Sequence, residues 1–158
     1  MPKRSAGILM YRGDAAGLEL LLVHPGGPFW AKKDEGAWSI PKGEYETDED
    51  PLQAAIREFA EELGSPAPEG GYRDLGEIVQ PSRKRLIAFA VQSDFDPATL
   101  ESNLFDMEWP PKSGRRQSFP EVDRAEWFAV DEARTKILVG QSGFIDRLVD
   151  DLGGATTR

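Results

Sequence analysis

The clearest hydrophobic pattern in the chain is helical and lies in its first half. Apolar residues recur there every three or four positions, at Leu52, Ile56, Phe59 and Leu63, with Ala55 at the edge of the row. At about 100° per residue these side chains share one narrow face of an α-helix. The pattern therefore predicts an amphipathic helix whose apolar face packs on a core.

Both ends of this helix are marked in the sequence. Asp50 is an N-cap candidate, Pro51 suits the first helical position, and Gln53 has the spacing of a capping box. Gly64 is expected to end the helix, because glycine tolerates the left-handed backbone found there. The predicted helix therefore covers residues 50–63.

Shorter apolar runs predict strands on both sides of the helix. Before it they cover residues 5–11 and 18–24, which a turn joins into a hairpin, and residues 38–40, which follow a loop at 26–36. After it they cover residues 72–80 and 85–94, an antiparallel pair, and residues 125–129. The stretch 97–117 is expected to form a long connection, and helical patterns occupy residues 131–137 and 142–152. This order predicts an α/β fold with a mixed sheet covered on both faces.

Composition narrows the class of protein. With 158 residues, 39% of them hydrophobic and 30% charged, the chain is expected to form one domain over residues 1–158. It has no cysteine and no apolar run long enough for a signal peptide or membrane span, so we expect a cytoplasmic protein without a membrane partner. The net charge of −9 argues against a nucleic-acid surface, but local basic groups and bound cations still permit small phosphorylated substrates.

Glutamates give the predicted helix a candidate metal site. Glu58, Glu61 and Glu62 occupy positions i, i+3 and i+4, so they project from one arc of the helix and repel one another unless a cation joins them. Carboxylate-only clusters suit hard ions such as Mg²⁺ or Mn²⁺, whereas a chain with no Cys and a single His is a poor candidate for zinc. The alternative is an ordinary solvated helix, in which Arg57 pairs with Glu61.

The same segment matches the pattern of a known family. The spacing of the Nudix box is filled in order by Gly43, Glu49, Arg57, Glu58, Phe59, Glu61, Glu62 and Gly64, so the chain resembles a Nudix hydrolase. Ser65 departs from the pattern, because the family usually has an aliphatic residue there. The resemblance implies a Nudix-type α/β/α sandwich with a mixed β-sheet between helices. It also implies hydrolysis of a nucleoside diphosphate linked to another moiety, by attack of water on phosphorus with a divalent cation bound.

The resemblance implies a role for each charged residue of the box. Glu58 and Glu62 are expected to be the principal metal ligands, with Glu61 as a further ligand or the general base. Arg57 is expected to orient a glutamate through a charge-assisted hydrogen bond. Glu49 either holds the helix start against the preceding loop or binds a second ion.

Residues outside the helix complete the predicted site. Pro41, followed by Lys42 and Gly43, is expected to form a turn that exposes backbone N–H groups beside an ammonium, as a phosphate cradle does. Lys42 then contacts phosphate or is a solvated turn residue, and Trp38 anchors the core. This lead-in resembles the branch of the family that cleaves dinucleoside polyphosphates and diphosphoinositol polyphosphates. Glu121 lies where several family members carry an extra carboxylate that binds metal or activates water.

Substrate contacts are predicted from aromatic and basic side chains elsewhere. Trp30 is expected to stack on a base and Lys32 or Lys33 to meet phosphate, unless they belong to an ordinary exposed loop. His24, the single histidine, is either a satisfied hydrogen-bonding residue or a substrate contact. Guanidinium groups that suit a polyphosphate, or else pair with surface Asp and Glu, are those of Arg83, Arg85 and Arg116.

These observations predict a Mg²⁺-dependent pyrophosphohydrolase in which Mn²⁺ can replace Mg²⁺. Its expected substrate is a small phosphorylated molecule, foremost a dinucleoside polyphosphate such as diadenosine tetraphosphate, or an NTP-like nucleotide. The alternatives are a diphosphoinositol polyphosphate phosphohydrolase and a non-catalytic Nudix-fold regulator that binds a nucleotide. We expect a monomer or homodimer, with the loops at 26–36 and 97–117 setting substrate choice.

Overall fold

A mixed β-sheet forms the centre of the fold. The computed structural model describes residues 4–13 and 17–153. In chain order the strands are β1 (Arg4–Arg12), β2 (Glu19–Pro25), β3 (Lys42–Glu44), β4 (Arg73–Val79), β5 (Arg85–Gln92), β6 (Leu104–Glu108), β7 (Arg116–Pro120) and β8 (Val122–Ala129). The α-helices are α1 (Pro51–Leu63), α2 (Val130–Lys136) and α3 (Ser142–Gly153), with short 3-10 turns at Pro97–Thr99 and Val139–Gln141. The three helices predicted from the sequence are confirmed, each within one residue of its expected bounds.

The central strand β1 gives the sheet its mixed character. The strand order is β4-β5-β1-β2-β8, and β3 pairs antiparallel with the first half of β1. β1 runs parallel to β5 along its whole length but meets β2 only at Tyr11–Leu20 and Arg12–Glu19. The predicted β1–β2 hairpin is confirmed, although its paired part is short and residues 14–16 of its turn lie outside the described residues. The predicted antiparallel pairing of β4 with β5 is also confirmed.

Helices cover both faces of this sheet, as the sequence predicted. Adjacent β1 residues such as Ile8 and Leu9 enter opposite cores, and both are fully buried. The core beneath α1 also contains Ala6, Met10, Leu21, Val23 and Phe89. The core beneath α2 and α3 contains Leu20, Leu22, Trp38, Phe128, Ile137 and Phe144. The α/β/α sandwich is therefore confirmed, and α1 lies alone on its face of the sheet among the helices of the described residues.

The apolar row of α1 packs on the core below it. Phe59 and Leu63 are buried, while Leu52 and Ile56 are partly buried against the same cluster. Burial of a row of side chains at this spacing is what fixes the rotation of a helix about its axis. The opposite, polar side of α1 is therefore also fixed in direction.

The predicted ends of α1 are confirmed. The side chain of Asp50 accepts a hydrogen bond from the backbone N–H of Gln53 at 3.0 Å. Gly64 adopts a left-handed backbone with φ of 74°, and a Cβ there would lie 2.4 Å from the carbonyl oxygen of Glu101. Glycine is therefore required at this position both by the backbone and by the neighbouring chain.

The strand predicted at residues 38–40 is wrong. Trp38 and Ser39 form only isolated bridges, to Ile137 and Val23 respectively, and the strand in this part of the chain is β3. The apolar side chains of Trp38 and Ile40 are buried although these residues belong to no strand. Composition alone does not distinguish such residues from those of a buried strand.

The turn expected at Lys42 and Gly43 is also wrong. Both residues lie in β3, where Lys42 pairs with Gly7 and Gly43 with Ala6. The close approach of the two strands depends on Gly7, because a Cβ there would lie 2.7 Å from both the Lys42 Cβ and the Pro41 carbonyl oxygen. The backbone N–H groups at 42–43 are therefore part of a strand and not of an open phosphate cradle.

The long connection predicted at residues 97–117 is replaced by a β-hairpin. Strands β6 and β7 form a separate two-stranded sheet with register from Leu104–Pro120 to Glu108–Arg116. β6 alternates apolar and charged residues over only five positions, and β7 begins with the polar run Arg116, Gln117 and Ser118, so neither run is long or apolar enough to be recognised as a strand. No helix within the two described stretches has the length and apolar character needed to cross a membrane.

Candidate active site

The site is built where α1 rests on β3. A Cβ on Gly43 would lie only 2.0 Å from the carboxyl carbon and from Oε1 of Glu58, and 2.6 Å from its Cγ. Only a residue without a side chain leaves room for this glutamate. Gly43 thus has a steric function in the site, since it lets a carboxylate of α1 lie flat against the sheet.

Glu62 is a charged residue in the core of this contact. It is 7% exposed and accepts a hydrogen bond from the backbone N–H of Lys42 at 3.3 Å. Burial raises its pKa to about 8, the charges of Glu58 and Glu121 act in the same direction, and the Lys42 ammonium and backbone N–H oppose them. A carboxyl group in this position holds a proton at neutral pH unless a cation takes the place of that proton.

Two further carboxyl groups share this electrostatic environment. Burial raises the pKa of Glu58, which the hydrogen bond from Arg57 counteracts and the charge of Glu61 reinforces. Burial also raises the pKa of Glu121, and the charges of Glu58 and Glu61 add to the effect. Glu58, Glu61, Glu62 and Glu121 therefore form one group of mutually repelling carboxylates, referred to here as the carboxylate cluster.

The carboxylate cluster has the donor chemistry of a divalent-cation site. Its oxygen ligands suit hard ions such as Mg²⁺, and a cation would relieve the repulsion that raises these pKa values. The cluster is not assembled in advance, because no three His, Cys, Asp or Glu side chains within residues 4–13 and 17–153 are arranged to hold a metal ion. Glu61 stands furthest out, with 46% of its side chain exposed against 15% for Glu58. Binding of a cation would therefore draw together side chains that now stand apart.

Arg57 connects the cluster to the start of α1. Its guanidinium is hydrogen-bonded to Glu49, donates to Glu58 Oε2 at 3.1 Å, and donates to the backbone carbonyl oxygen of Glu44 at 3.3 Å. The i,i+4 contact with Glu61 is longer, at 3.9 Å. The structure thus brings together the residues for which an orienting role was predicted, and it places Glu49 on Arg57 at the helix start.

Lys42 faces the cluster from β3. Its charge acts on Glu58, Glu62 and Glu121, and its side chain lines a small cavity of about 50 Å³ together with Glu62 and Glu121. Its backbone N–H is engaged by Glu62, so only the ammonium remains available for an anionic ligand. Two carboxyl groups and an ammonium thus meet in one small cavity between β3, α1 and the start of β8.

His24 is fully buried, and both of its ring nitrogens contact other groups of the protein. Its Nε2 donates to the carbonyl oxygen of Lys33 at 2.6 Å, and its Nδ1 lies 2.7 Å from Asp123 Oδ1. Its ring packs edge-on against Trp38, with centroids 5.1 Å apart, and Trp38 is itself buried as predicted. Of the two interpretations offered by the sequence, the structure supports the satisfied hydrogen-bonding residue. Asp123, its partner, carried no signal in the sequence.

None of the other predicted substrate residues lines the small cavity. Trp30 packs against the core beneath α2 and α3, with the Lys33 ammonium 5.2 Å from its ring centroid. Arg85 pairs with Glu77 at 2.9 Å, which favours the surface-pairing interpretation for this arginine. The remaining predicted contacts are exposed and stay predictions, namely Lys32, Arg83 in the β4–β5 turn and Arg116 on β7.

An aromatic pair at the tip of the β6–β7 hairpin was missed by the sequence reasoning. Phe29 is 62% exposed, and its ring packs edge-on against Trp109 with centroids 5.6 Å apart. The pair connects the 26–36 loop to the β6–β7 hairpin. The available signal was the run Gly26-Gly27-Pro28-Phe29, but the hairpin that receives it was not predicted.

These features define a class of α/β sandwich proteins with an acidic site on one helix and a glycine beneath it. The family model for the NUDIX domain matches residues 1–148, so the chain belongs to the NUDIX domain family.

Solved structures with the same fold include a NUDIX domain bound to ADP ribose and an Ap4A hydrolase. The NUDIX domain of Shewanella oneidensis NrtR, complexed with ADP ribose, is 16% identical with a TM-score of 0.65, over 96% of this chain and 89% of that one. A C. elegans Ap4A hydrolase in a binary complex is 20% identical with a TM-score of 0.61, over 95% of this chain and 98% of that one. A mutT/nudix family protein from Listeria innocua is 16% identical with a TM-score of 0.62, over 98% of this chain and 97% of that one.

A curated relative differs in length. An octanoyltransferase from Myxococcus xanthus is 29% identical over 138 residues, which are 86% of this chain and 33% of that protein. This chain therefore spans about a third of the relative, and the name describes a much longer protein.

Proposed function

We propose that this chain is a divalent-cation-dependent hydrolase that splits a phosphoanhydride bond in a nucleoside diphosphate derivative. Dinucleoside polyphosphates such as diadenosine tetraphosphate are the substrates we favour. The observation that carries the proposal is the meeting of Glu62 and Glu121 with Lys42 around one small cavity, with the charge of Glu58 acting on both carboxyl groups. An ordinary solvated helix would not bury Glu62 at 7% exposure with the charges of two other carboxyl groups acting on it.

The residues divide into those that hold the cation and those that act on substrate and water. Glu58, Glu62 and Glu61 would hold Mg²⁺ or Mn²⁺, which, when bound, neutralises charge on phosphate oxygens and makes the attacking water more acidic. Lys42 contributes a positive charge to the phosphate chain from the other wall of the cavity.

Glu121 is the residue we favour as general base. It lines the cavity, and burial together with the charges of Glu58 and Glu61 raises its pKa above that of an ordinary glutamate, which makes it a stronger base. Glu61, which is more exposed, is the competing candidate. Arg57 does not reach the cavity lining and acts by fixing Glu58.

A product analysis tests the proposal. The purified chain is incubated with Mg²⁺ or Mn²⁺ and a panel of diadenosine tetraphosphate, a nucleoside triphosphate, ADP-ribose and a diphosphoinositol polyphosphate, in water enriched in ¹⁸O. We expect a phosphate-containing product with one ¹⁸O atom from at least one member, and a fall of at least about a hundredfold in kcat for Glu62→Gln and Glu121→Gln. Glu69→Gln, an exposed carboxylate in the loop after α1, is the matched control and should not change the rate.

Each alternative has its own outcome in this panel. Product from the diphosphoinositol polyphosphate alone would replace the nucleotide substrate by an inositol one while leaving the site assignments intact. No product from any member, combined with saturable binding of a nucleotide, would overturn the hydrolase proposal in favour of a binding domain.

A further inference from the structure

Phe29 is an exposed aromatic side chain that the protein nevertheless holds in place. It is 62% exposed and packs edge-on against Trp109, with ring centroids 5.6 Å apart and planes at 75°. Single exposed apolar residues are common, but an exposed ring fixed by a second ring in a defined geometry is a surface on which another flat ring can pack. Aromatic faces of this kind bind nucleobases with little dependence on base type.

The chain before Phe29 is built to lie flat along the β6–β7 hairpin. A Cβ on Gly26 would lie 1.9 Å from the carbonyl oxygen of Pro120, and a Cβ on Gly27 would lie 3.0 Å from the Phe105 ring. Gly27 also has a left-handed φ of 97°. Any other residue at these two positions would lift the segment off the hairpin, and Phe29 with it.

This segment begins at the carboxylate cluster. The backbone N–H of Gly26 donates to the carbonyl oxygen of Glu121 at 2.9 Å. The segment therefore runs from the predicted base to the aromatic pair along a continuous wall, made of residues 26–29 and the β6–β7 hairpin.

The far end of the wall is fixed as well. The backbone of Trp109 donates through its N–H to the Arg115 carbonyl oxygen at 2.9 Å and accepts from Gln117 Nε2 at 2.8 Å. The carboxylate of Glu108 accepts from the backbone N–H groups of Lys112 at 3.2 Å and Gly114 at 2.9 Å, which closes the hairpin tip. Trp109 therefore has a set position before any ligand arrives.

The register of the hairpin gives the length of the wall. Pro120, next to Glu121, pairs with Leu104, and Trp109 follows the last pair at Glu108–Arg116. At about 3.4 Å per residue, Trp109 lies about 17 Å along the strand from the Glu121 end. Phe29 lies in the turn that the Trp30 N–H closes on the Gly27 carbonyl oxygen at 3.3 Å, and its ring reaches Trp109 from there.

We propose that Phe29 and Trp109 form a binding surface for a planar ring of the substrate, separated by the wall from the carboxylates that cleave the anhydride. This inference rests on the proposed function and deepens it. If a single phosphate joins the ring to the cleaved bond, the ring cannot reach Phe29 and Trp109 while that bond lies at the carboxylates. The wall therefore selects substrates in which several phosphates separate a base from the cleavage point, as in a dinucleoside polyphosphate.

Steady-state kinetics of the full chain with two substrates test this assignment. For diadenosine tetraphosphate we expect Phe29→Ala and Trp109→Ala to raise KM about tenfold or more, with kcat within about twofold of the parent, since stacking acts on ground state and transition state alike. For ADP-ribose, whose adenosine is joined to the cleaved bond through a single phosphate, both variants should match the parent. Phe29→Tyr should restore the parent KM, because it keeps the ring.

Val79→Ala is the matched control. Val79 is 56% exposed and lies on β4, outside the wall. It should leave both substrates unaffected. Equal KM changes for both substrates, or none for diadenosine tetraphosphate, would overturn the ring surface even if hydrolysis is confirmed.

A binding measurement separates this inference from the proposed function. Calorimetric titration with a non-hydrolysable diadenosine tetraphosphate analogue requires no turnover, and weaker binding by Phe29→Ala but not Val79→Ala supports the ring surface even in a chain that hydrolyses nothing. Equal binding by all three proteins would overturn it. Phe29 is exposed, so its truncation should leave the stability of the folded protein nearly unchanged.

Discussion

The carboxyl group of Glu58 occupies the space in which a side chain at position 43 would have to lie. The two positions are so close that a Cβ on Gly43 would be 2.0 Å from the Glu58 carboxyl carbon. Because β3 is paired with β1 and α1 is fixed by its buried row, neither element can easily move apart. Glu58 itself must therefore give way when position 43 is changed.

Gly43→Ala should consequently impair catalysis more than folding. Gly43 does not have a left-handed φ, so alanine adds no backbone strain and only displaces the carboxylate. A displacement of about 1 Å in a catalytic group can lower the rate about a hundredfold, and we expect a loss of that size in kcat/KM. Gly70→Ala is the control, because a Cβ there meets no atom within 4 Å. Equal activity of the two variants would contradict the steric role of Gly43.

Burial of Glu62 predicts how stability depends on pH in the absence of a divalent cation. Its pKa is raised from an ordinary 4.5 to about 8, so the folded state binds a proton more tightly than the unfolded state. The stabilisation is complete below pH 4.5 and is lost as the pH rises through 8, by an amount on the order of several kcal/mol. Urea unfolding at intervals from pH 5 to pH 9 in EDTA measures this slope.

Glu62→Gln and added Mg²⁺ identify the group responsible. The amide keeps an oxygen for the Lys42 N–H but cannot ionise, so the variant should be more stable than the parent at about pH 8 and show a smaller slope, with the remainder due to Glu58 and Glu121. Mg²⁺ should flatten the slope of the parent, because the cation compensates the charge that the proton removes. An unchanged slope in the variant would assign the pH dependence to other groups.

Arg57→Lys tests whether the shape of the guanidinium matters as well as its charge. Arg57 contacts Glu49, Glu58 and the Glu44 carbonyl oxygen at once, whereas an ammonium on a flexible stem cannot hold all three. We expect kcat to fall about tenfold to a hundredfold, as for other residues that orient a ligand. The melting temperature should change little, because the contacts are partly exposed. Arg134→Lys, in the surface pair with Asp146, should leave the rate as it is.

His24→Gln should destabilise the protein. His24 is fully buried between Lys33 and Asp123, and glutamine can satisfy one of these acceptors but not both, while it also loses the edge contact with Trp38. We expect a loss of about 2–4 kcal/mol in the free energy of unfolding, measured by urea titration at constant pH. Val139→Ala, at a side chain that is 81% exposed, should stay within about 0.5 kcal/mol of the parent. A His24 variant as stable as that control would show that the contacts of His24 with Lys33 and Asp123 do not stabilise the fold.

Local sequence signals were sufficient for α1 and for much of the sheet. The cap at Asp50, the stop at Gly64 and the apolar row between them act over a few residues, so they can be read without knowing the rest of the fold. Pairing between distant segments is different. The bridge of Trp38 to Ile137 and the place of Lys42 beside Gly7 depend on elements far away in the sequence, which is why residues 38–40 were mistaken for a strand.

The candidate site likewise combines contacts that local spacing predicts with contacts that depend on distant segments. The carboxylates of α1 and the contact of Arg57 with Glu58 follow from helical spacing, and the structure brings those residues together. The use of the Lys42 N–H by Glu62 depends on β3, and the contact of Phe29 with Trp109 depends on a hairpin whose strands look polar in sequence. Neither could be inferred without the tertiary fold.

The parallel pairing of β1 with β5 determines when the site can form during synthesis. Arg4 pairs with Arg85 and Tyr11 with Gln92, while α1 lies between these strands in the sequence. A ribosome-bound chain that stops before β5 already contains every glutamate of α1, but one edge of β1 still lacks its partner. Because contacts so far apart in sequence form slowly, the acidic helix precedes the completed sheet on which it must rest. The strand that completes the sheet beneath α1 is thus present only after residue 92 has been translated.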